Sequence, residues 1–485
     1  MGPQEGPFKN GLEYSEGEAV RFEPHEYQSL ALNWIWGRTI QGGGAALFLD
    51  PGLGKTAITL AWLRMLSSLK LHRGALVVAP LRVVYSVWRQ ERDKWEQFKD
   101  LRISLVHGPP AQRLAALAAP ADIYLVNPDG VPWLAKIAKD RDLPFDTLVV
   151  DESSAFKTWG ARRTKSLRVL QKTFRRRLVL TGTPAPNGFH DLFAQIFLVD
   201  QGQRLGTAVG QFRNRYFYRG GYGGYKYILM EGADKRIESA IQDVCLRMSA
   251  EEYLDLPELV HNDVWVDLPG PILKRYKKLE SLMFLELQEG KDLTPLNAGG
   301  KYNLCRQFAN GGVYDNEDKS ISHDIHQGKV EAVREIVGEL QGKPVLIAFQ
   351  YRHDLQRLRE VWKDLPSIDG RSSGEEAAVN IERWNAGELP RLAVQPQSLS
   401  HGVNMQSGPG RDVIWMGLSD SLETYLQLNA RLHRQGVTGQ VRIHRILARK
   451  TVDAAVRARI ESKEKGQGAL LEALREYRKK EEAGE

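Results

Sequence analysis

Short apolar runs alternating with longer helical patterns constrain this chain more than any other feature. Residues 45–49, 75–79, 123–126, 147–150 and 178–180 are rich in leucine, alanine or β-branched residues, and turn formers bound each run. A strand that is apolar throughout has both faces covered, as in a parallel sheet flanked by helices. The stretches between, such as 84–98, carry helical spacing. The pattern returns at 345–349, 392–394, 412–416 and 441–446. The chain is therefore expected to be α/β, with two doubly wound parallel sheets.

At 485 residues the chain is too long for one ordinary core, and length alone predicts two or three domains. Residues 1–19 read as an N-terminal arm, 20–205 as a first lobe and 328–485 as a second lobe with C-terminal helices. In 206–327 the alternation is lost, so this span is expected to be a mainly helical insertion and linker. It contains Arg219-Gly-Gly-Tyr-Gly-Gly-Tyr-Lys-Tyr227, a composition that suits a loop or hairpin touching nucleic acid, or tyrosines that pack on the lobe. A net charge of +7 favours a polyanionic partner. Cys245 and Cys305 form no Cys-x-x-Cys pair, which argues against a disulfide framework, a zinc site or an iron–sulfur cluster. No leader pattern and no run of membrane-spanning length is visible, so a soluble cytoplasmic protein is expected.

Chemistry-bearing residues cluster at the ends of these runs. Residues 50–55 form a strand-to-helix loop in which Gly52 and Gly54 let backbone N–H groups approach phosphate oxygens. Lys55 would meet the β- and γ-phosphates of ATP and Thr56 the Mg²⁺ ion. The strict G-x-x-x-x-G-K-[ST] form fails because Leu49 holds the first glycine position; the alternative is a plain glycine turn. Asp151-Glu152 follows three apolar residues, so Asp151 is placed to hold Mg²⁺ and Glu152 to orient or deprotonate water, unless the pair is a solvated strand end. Leu180-Thr-Gly-Thr-Pro-Ala-Pro-Asn187 is a loop offering the hydroxyls of Thr181 and Thr183, or a proline turn. Gln427, Arg431 and Arg434 share one face at helical spacing, as a solvated basic face or as arginines that stabilise a developing phosphoryl charge.

Taken in order, these residues resemble the Snf2-like branch of superfamily 2 helicases and translocases, above all its small bacteriophage and bacterial members. Phe22-Glu-Pro-His-Glu-Tyr-Gln28 is similar to the adenine-reading Q motif, with Gln28 as reader. Asp50-Pro-Gly-Leu-Gly-Lys-Thr56 resembles motif I, and Val78-Ala-Pro80 through Trp88 resembles motif Ia, whose loop touches the DNA backbone. Asp151-Glu-Ser-Ser154 stands where the family has Asp-Glu-Ala-His or Asp-Glu-Gly-His, a departure that affects coupling to motif III. Thr181-Gly-Thr-Pro184 with Asn187 resembles motif III, and Leu246-Arg-Met248 before Leu256-Pro257 resembles the family's linker. Ser400-His-Gly-Val-Asn404 resembles motif V without the usual preceding Ala-Gly-Gly. Gln427, Arg431 and Arg434 match motif VI.

The resemblance implies two RecA-like lobes with ATP and Mg²⁺ in the cleft and nucleic acid across both. It makes Lys55, Asp151, Glu152, Arg431 and Arg434 catalytic and places Gln28, Gly52, Gly54, Thr56 and Gln427 on the nucleotide. Pro80, Thr181, Thr183, Ser400 and Asn404 become nucleic-acid contacts. The expected function is ATP-driven movement along duplex or branched DNA, by a protein able to act as a monomer in a bacterial or phage-infected cell. The alternatives are a strand-separating or branched-DNA-remodelling helicase, an enzyme acting on RNA, and a nucleotide-gated DNA-binding protein that does not hydrolyse ATP.

Overall fold

The computed structural model describes residues 20–81, 83–220, 226–288, 295–315, 317–399 and 404–466. The N-terminal arm, Tyr222, Tyr225 and Ser400 lie outside them. In chain order the first part supplies β1 (Ala45–Leu49), β2 (Ala75–Val78), β3 (Ile103–Leu105), β4 (Ile123–Val126), β5 (Thr147–Asp151) and β6 (Arg176–Thr181). A hairpin of β7 (Phe217–Gly220) and β8 (Lys226–Leu229) precedes β9 (Cys245–Met248). The strands pair in the order β3-β4-β2-β5-β6-β1-β9, and every pairing is parallel.

The second part supplies β10 (Leu259–Val266), a short antiparallel pair β11 (Gly312–Tyr314) and β12 (Ser322–Asp324), then β13 (Val345–Ala348), β14 (Ser367–Ile368), β15 (Arg391–Val394), β16 (Asp412–Trp415) and β17 (Val441–Ala448). Its main sheet runs β10-β17-β16-β13-β15-β14, again wholly parallel. The chain is thus an α/β protein of two parallel-sheet lobes.

Both faces of each sheet are covered, which explains the unbroken apolar runs. Ala46 and Phe48 of β1 join one core, whereas Ala45, Leu47 and Leu49 join the core on the opposite face. In β13 the split is Leu346 and Ala348 against Val345 and Ile347. Each large apolar side chain buried this way contributes about 1.5–3 kcal/mol. The helix at 452–466 closes the second lobe through Val456 and Ile460.

The span 206–327 is not only helical. It contains the helices Gly270–Gln288 and Pro295–Asn310, but β9 also edges the first sheet beside β1, and β10 edges the second beside β17. Arg247 in β9 and His261, Asn262 and Asp263 in β10 interrupt the apolar runs of these two edge strands and so conceal the strand pattern. Among the described residues no helix is long and apolar enough to cross a membrane.

Candidate nucleotide site between the lobes

The phosphate loop joins β1 to the helix Lys55–Ser68. Gly52 and Gly54 take φ of 95° and 74°, a region that residues with a Cβ resist. A Cβ on Gly54 would lie 2.5 Å from Gln28 Nε2, so the Gln28 amide rests directly on the loop. Gln28 is buried, and its Oε1 accepts the His25 N–H at 3.0 Å at the start of the helix Glu26–Ile40. Lys55 Nζ donates to the carbonyls of Leu49 at 2.9 Å and Asp50 at 3.4 Å. Burial lowers the Lys55 pKa, and the carboxylates of Glu152, Asp151 and Asp50 oppose that shift. Thr56 lies in the first turn of the same helix. Glycine amides, a helix N-terminus and an ammonium group together form a cradle for phosphate.

Asp50 fixes this loop to the sheet edge. Its carboxylate accepts from Arg247 Nη2 at 2.7 Å and from the Ala250 N–H at 3.0 Å. Arg247 Nη1 also donates to the carbonyls of Phe48 and Met248, at 2.9 and 2.6 Å. The polar residue that conceals β9 in the sequence thus ties the loop down.

Asp151 ends β5, is buried, and accepts from Trp88 Nε1 at 3.2 Å. Burial raises its pKa, while Lys55 and the Trp88 hydrogen bond pull it down. Among the described residues no group of three or more His, Cys, Asp or Glu could hold a metal by itself. A Mg²⁺ held by Asp151 and Thr56 would need phosphate oxygens and water as further ligands, which is how that ion binds nucleotides.

Glu152 is in the left-handed region at φ 54°, a conformation that costs a non-glycine residue about 1–3 kcal/mol and concentrates at functional sites. Its Oε2 is buried with no hydrogen-bond partner among the described residues. Burial raises the carboxyl pKa to about 7; Asp151 and Glu423 push the same way, and Lys55 and Arg431 oppose them. A carboxylate poised near neutrality suits general-base chemistry.

The loop after β6 packs on the phosphate loop: a Cβ on Gly182 would sit 3.2 Å from Leu49 O and Pro51 Cδ. Thr181 is fully buried, with its Oγ1 accepting the Thr183 N–H at 3.0 Å. Thr183 lines the interlobe cleft beside Glu152. Thr181 is thus closed off from solvent, and Thr183 opens onto the cleft. Pro80, by contrast, is half-exposed just beyond β2.

From the second lobe, Gln427 is buried on the helix Leu422–Asn429 and lines the same cleft, whose volume is about 630 Å³. The expectation that Gln427, Arg431 and Arg434 share one helical face does not hold, because the helix ends at Asn429. Asn429 Oδ1 is held by Trp415 Nε1 at 3.0 Å, and the chain tightens into turns, with Arg431 N on Leu428 O at 2.9 Å and Leu432 N on Asn429 O at 3.2 Å. His433 Nε2 then pairs with Pro257 O in the linker at 2.7 Å. The turns still carry both arginines to the cleft. Burial and Arg434 lower the Arg431 pKa to about 10, and Glu152 pulls it back up. Arg434 Nη1 donates to Asn404 Oδ1 at 2.5 Å, and a Cβ on Gly52 would lie 3.6 Å from Arg434 Cβ. Asn404, assigned to nucleic acid in the sequence, is thus engaged with a cleft arginine.

Direct bonds cross between the lobes. Glu423 accepts from Ser154 Oγ and, at 3.1 Å, from Lys157 Nζ, and Lys463 Nζ donates to Asn187 Oδ1 at 2.8 Å. Arg247, Glu423, Lys157 and Lys463 carry no site signal of their own in the sequence; the pointers to them are the linker-like Leu246-Arg-Met248, Asn187 and the unusual Ser154.

The chain matches the SNF2-related domain over residues 27–299. It is 35% identical over 469 residues to putative protein p41 of Acyrthosiphon pisum secondary endosymbiont phage 1, across 94% of this chain and 99% of that protein. It is 24% identical over 460 residues to the putative ATP-dependent helicase/translocase YwqA of Bacillus subtilis (strain 168), across 90% of this chain and 48% of that protein. The chain spans less than half of this and the other larger curated relatives it matches, down to 15% of chicken chromodomain-helicase-DNA-binding protein 7. A solved Sulfolobus solfataricus SWI2/SNF2 ATPase core in complex with dsDNA is similar at 20% identity and a TM-score of 0.45, across 92% of each chain. With its phosphate loop, its Asp151-Glu152 strand end and arginines from a second parallel-sheet lobe, the chain belongs to the SNF2-related family, as an enzyme of the Snf2-type ATPase and helicase class built on two RecA-like lobes.

Proposed function

We propose that the chain hydrolyses Mg²⁺-ATP in the cleft and couples closure of the lobes to movement along duplex DNA. The observation that carries this reading is geometric: Glu152, with a buried Oε2 unpartnered among the described residues, lines the same cleft as Gln427 of the second lobe, within electrostatic reach of Lys55 from its own lobe and Arg431 from the other.

In this reading Lys55 and the loop amides bind the β- and γ-phosphates, and Gln28 and Gln427 flank the nucleotide. Asp151 and Thr56 would hold the cation, which would neutralise charge on the phosphate oxygens. Glu152 orients the attacking water and takes its proton. Arg431 meets the charge that grows on the phosphoryl oxygens, and Arg434 supports it from the far side of the phosphate loop. Because the arginines come from the other lobe, hydrolysis depends on closure, and closure is the step that shifts one lobe along a backbone. Thr181 braces the loop after β6 through Thr183 N–H, and that loop packs on the phosphate loop at Gly182, a placement suited to relaying closure. Pro80 remains a direct backbone contact in this scheme.

DNA as the polyanion is supported by the net charge of +7 and by relatives named as translocases and DNA-binding helicases. The phage relative is consistent with action in the cytoplasm of a bacterial or phage-infected cell. The test compares ATPase rates with duplex, single-stranded and branched DNA and with RNA at matched salt. Duplex DNA should stimulate strongly and independently of sequence, since backbone contacts carry no base information. Stimulation by RNA with none by duplex DNA would overturn the assignment.

A further inference from the structure

The hairpin β7–β8 stands outside the nucleotide cleft, yet it gathers much of the chain's excess charge. Residues 209–236 carry six Lys and Arg against two Asp and Glu, a large part of a net charge of only +7. The helix Val209–Tyr216 that leads into it is fixed by Phe212 and Tyr216, both buried in the first lobe's core. Phe212 packs against Phe193 and Phe217 with ring centroids 5.0 and 5.6 Å away. The base of the hairpin is therefore rigid.

On that base the arginines are held by rings instead of by carboxylates. Arg219 lies opposite Tyr227 in the hairpin register, so the two share one face. The guanidinium groups of Arg213 and Arg219 lie 4.6 and 5.9 Å from the Tyr227 ring centroid. Arg215 and Arg236 lie 5.2 and 6.0 Å from Tyr216. Several other arginines of this lobe are neutralised by aspartates, as in Arg64–Asp100, Arg102–Asp122 and Arg204–Asp243, although Arg113 and Arg168 also pack singly on tryptophan rings. Among the described residues Arg213, Arg215, Arg219 and Arg236 form no ion pair. Packing on an aromatic face orients a guanidinium while leaving its charge and its edge N–H donors available.

We propose that these four arginines form a second nucleic-acid contact, a phosphate-backbone clamp on the hairpin and its flanking helices that holds duplex DNA outside the cleft. Tyr227 serves as the platform that pre-organises Arg213 and Arg219, not as a base-stacking wedge, because its ring is already occupied. The clamp rests on the reading of DNA as the substrate and adds a fixed grip on the first lobe, which would keep the duplex engaged while the cleft opens.

The experiment measures duplex affinity against salt concentration for the full chain and for Arg213→Gln/Arg219→Gln. Each phosphate contact contributes a slope of about −0.9 in log K against log salt. The double variant should therefore flatten the slope by about 1.8 and weaken binding at low salt, with turnover at saturating duplex unchanged. Tyr227→Leu, which removes the platform and no charge, should weaken binding to a smaller extent. Arg64→Gln/Arg102→Gln removes the same charge at positions already paired and should leave the slope intact. An unchanged slope in the Arg213/Arg219 variant overturns the clamp, as does an equal change in the Arg64/Arg102 control. A variant that binds DNA normally but loses affinity for polyglutamate would assign the surface to an acidic protein instead. Absence of salt-dependent duplex binding in the unmodified chain would defeat the DNA reading itself, a result distinct from failure of the clamp.

Discussion

Glu423→Gln probes the coupling between the lobes. Glu423 lies in the first turn of the helix Leu422–Asn429 and receives Ser154 Oγ and Lys157 Nζ from the opposite lobe. The Lys157 and Glu423 side chains are 23% and 17% exposed, between the regimes of surface and buried pairs. Exposed pairs contribute about 0.2–1 kcal/mol, and hydrogen bonds to charged groups about 1.5–3 kcal/mol. An intermediate value of about 1.5 kcal/mol is roughly a tenfold change in an equilibrium constant. Because both donors belong to the other lobe, the loss falls on the closed state. DNA-stimulated kcat should drop about tenfold if closure limits turnover, while ATP binding at the Lys55 loop stays near its original strength. Ser154→Ala should act in the same direction and less strongly. The double variant should lose less than the sum of the single losses, because the two share one contact. Steady-state ATPase kinetics with saturating duplex, together with equilibrium nucleotide binding, separate these effects. Full turnover in Glu423→Gln, or strict additivity with Ser154→Ala, would refute the bridge as a closure element.

Other substitutions separate the assigned roles. Lys55→Ala should weaken nucleotide binding, whereas Glu152→Gln should bind nucleotide and not turn it over; equal loss of ATP affinity in both, measured by titration, would contradict the assignment. Arg431→Ala should lower DNA-stimulated hydrolysis by about 10³-fold or more, the effect typical of an arginine finger, with little change in ATP affinity. Trp88→Phe removes the indole donor to Asp151 and should raise the Mg²⁺ concentration needed for half-maximal ATPase. Arg247→Leu strands Asp50 and two backbone carbonyls, and should cost about 3 kcal/mol of stability in denaturant unfolding.

The core of the fold was legible because strands buried on both faces advertise themselves: β1, β2, β5, β13 and β16 stand out as apolar runs. The edges were not. β3 and β14 are too short to show a period, and β9 and β10 carry polar residues that look like loop in one dimension but serve as anchors, as Arg247 does for Asp50. The same division holds in the site. Lys55, Asp151 and Glu152 follow from strand-end positions, and the structure brings them together with Gln427 and Arg431. The ending of the helix at Asn429 was hidden because Trp415 and Pro257, which hold that turn, are distant in sequence. Glu423 and Lys463 were equally invisible, since a bridge between lobes leaves no local pattern.

Triplex displacement measures ATP-driven movement directly, because removal of a third strand from duplex DNA reports movement without strand separation. Displacement is expected from the full chain with ATP, with none in the presence of a non-hydrolysable analogue and none by Glu152→Gln or Arg431→Ala despite intact DNA binding. Displacement that persists in either variant, or ATP hydrolysis stimulated by duplex DNA with no displacement at all, would rule out ATP-driven movement along the duplex.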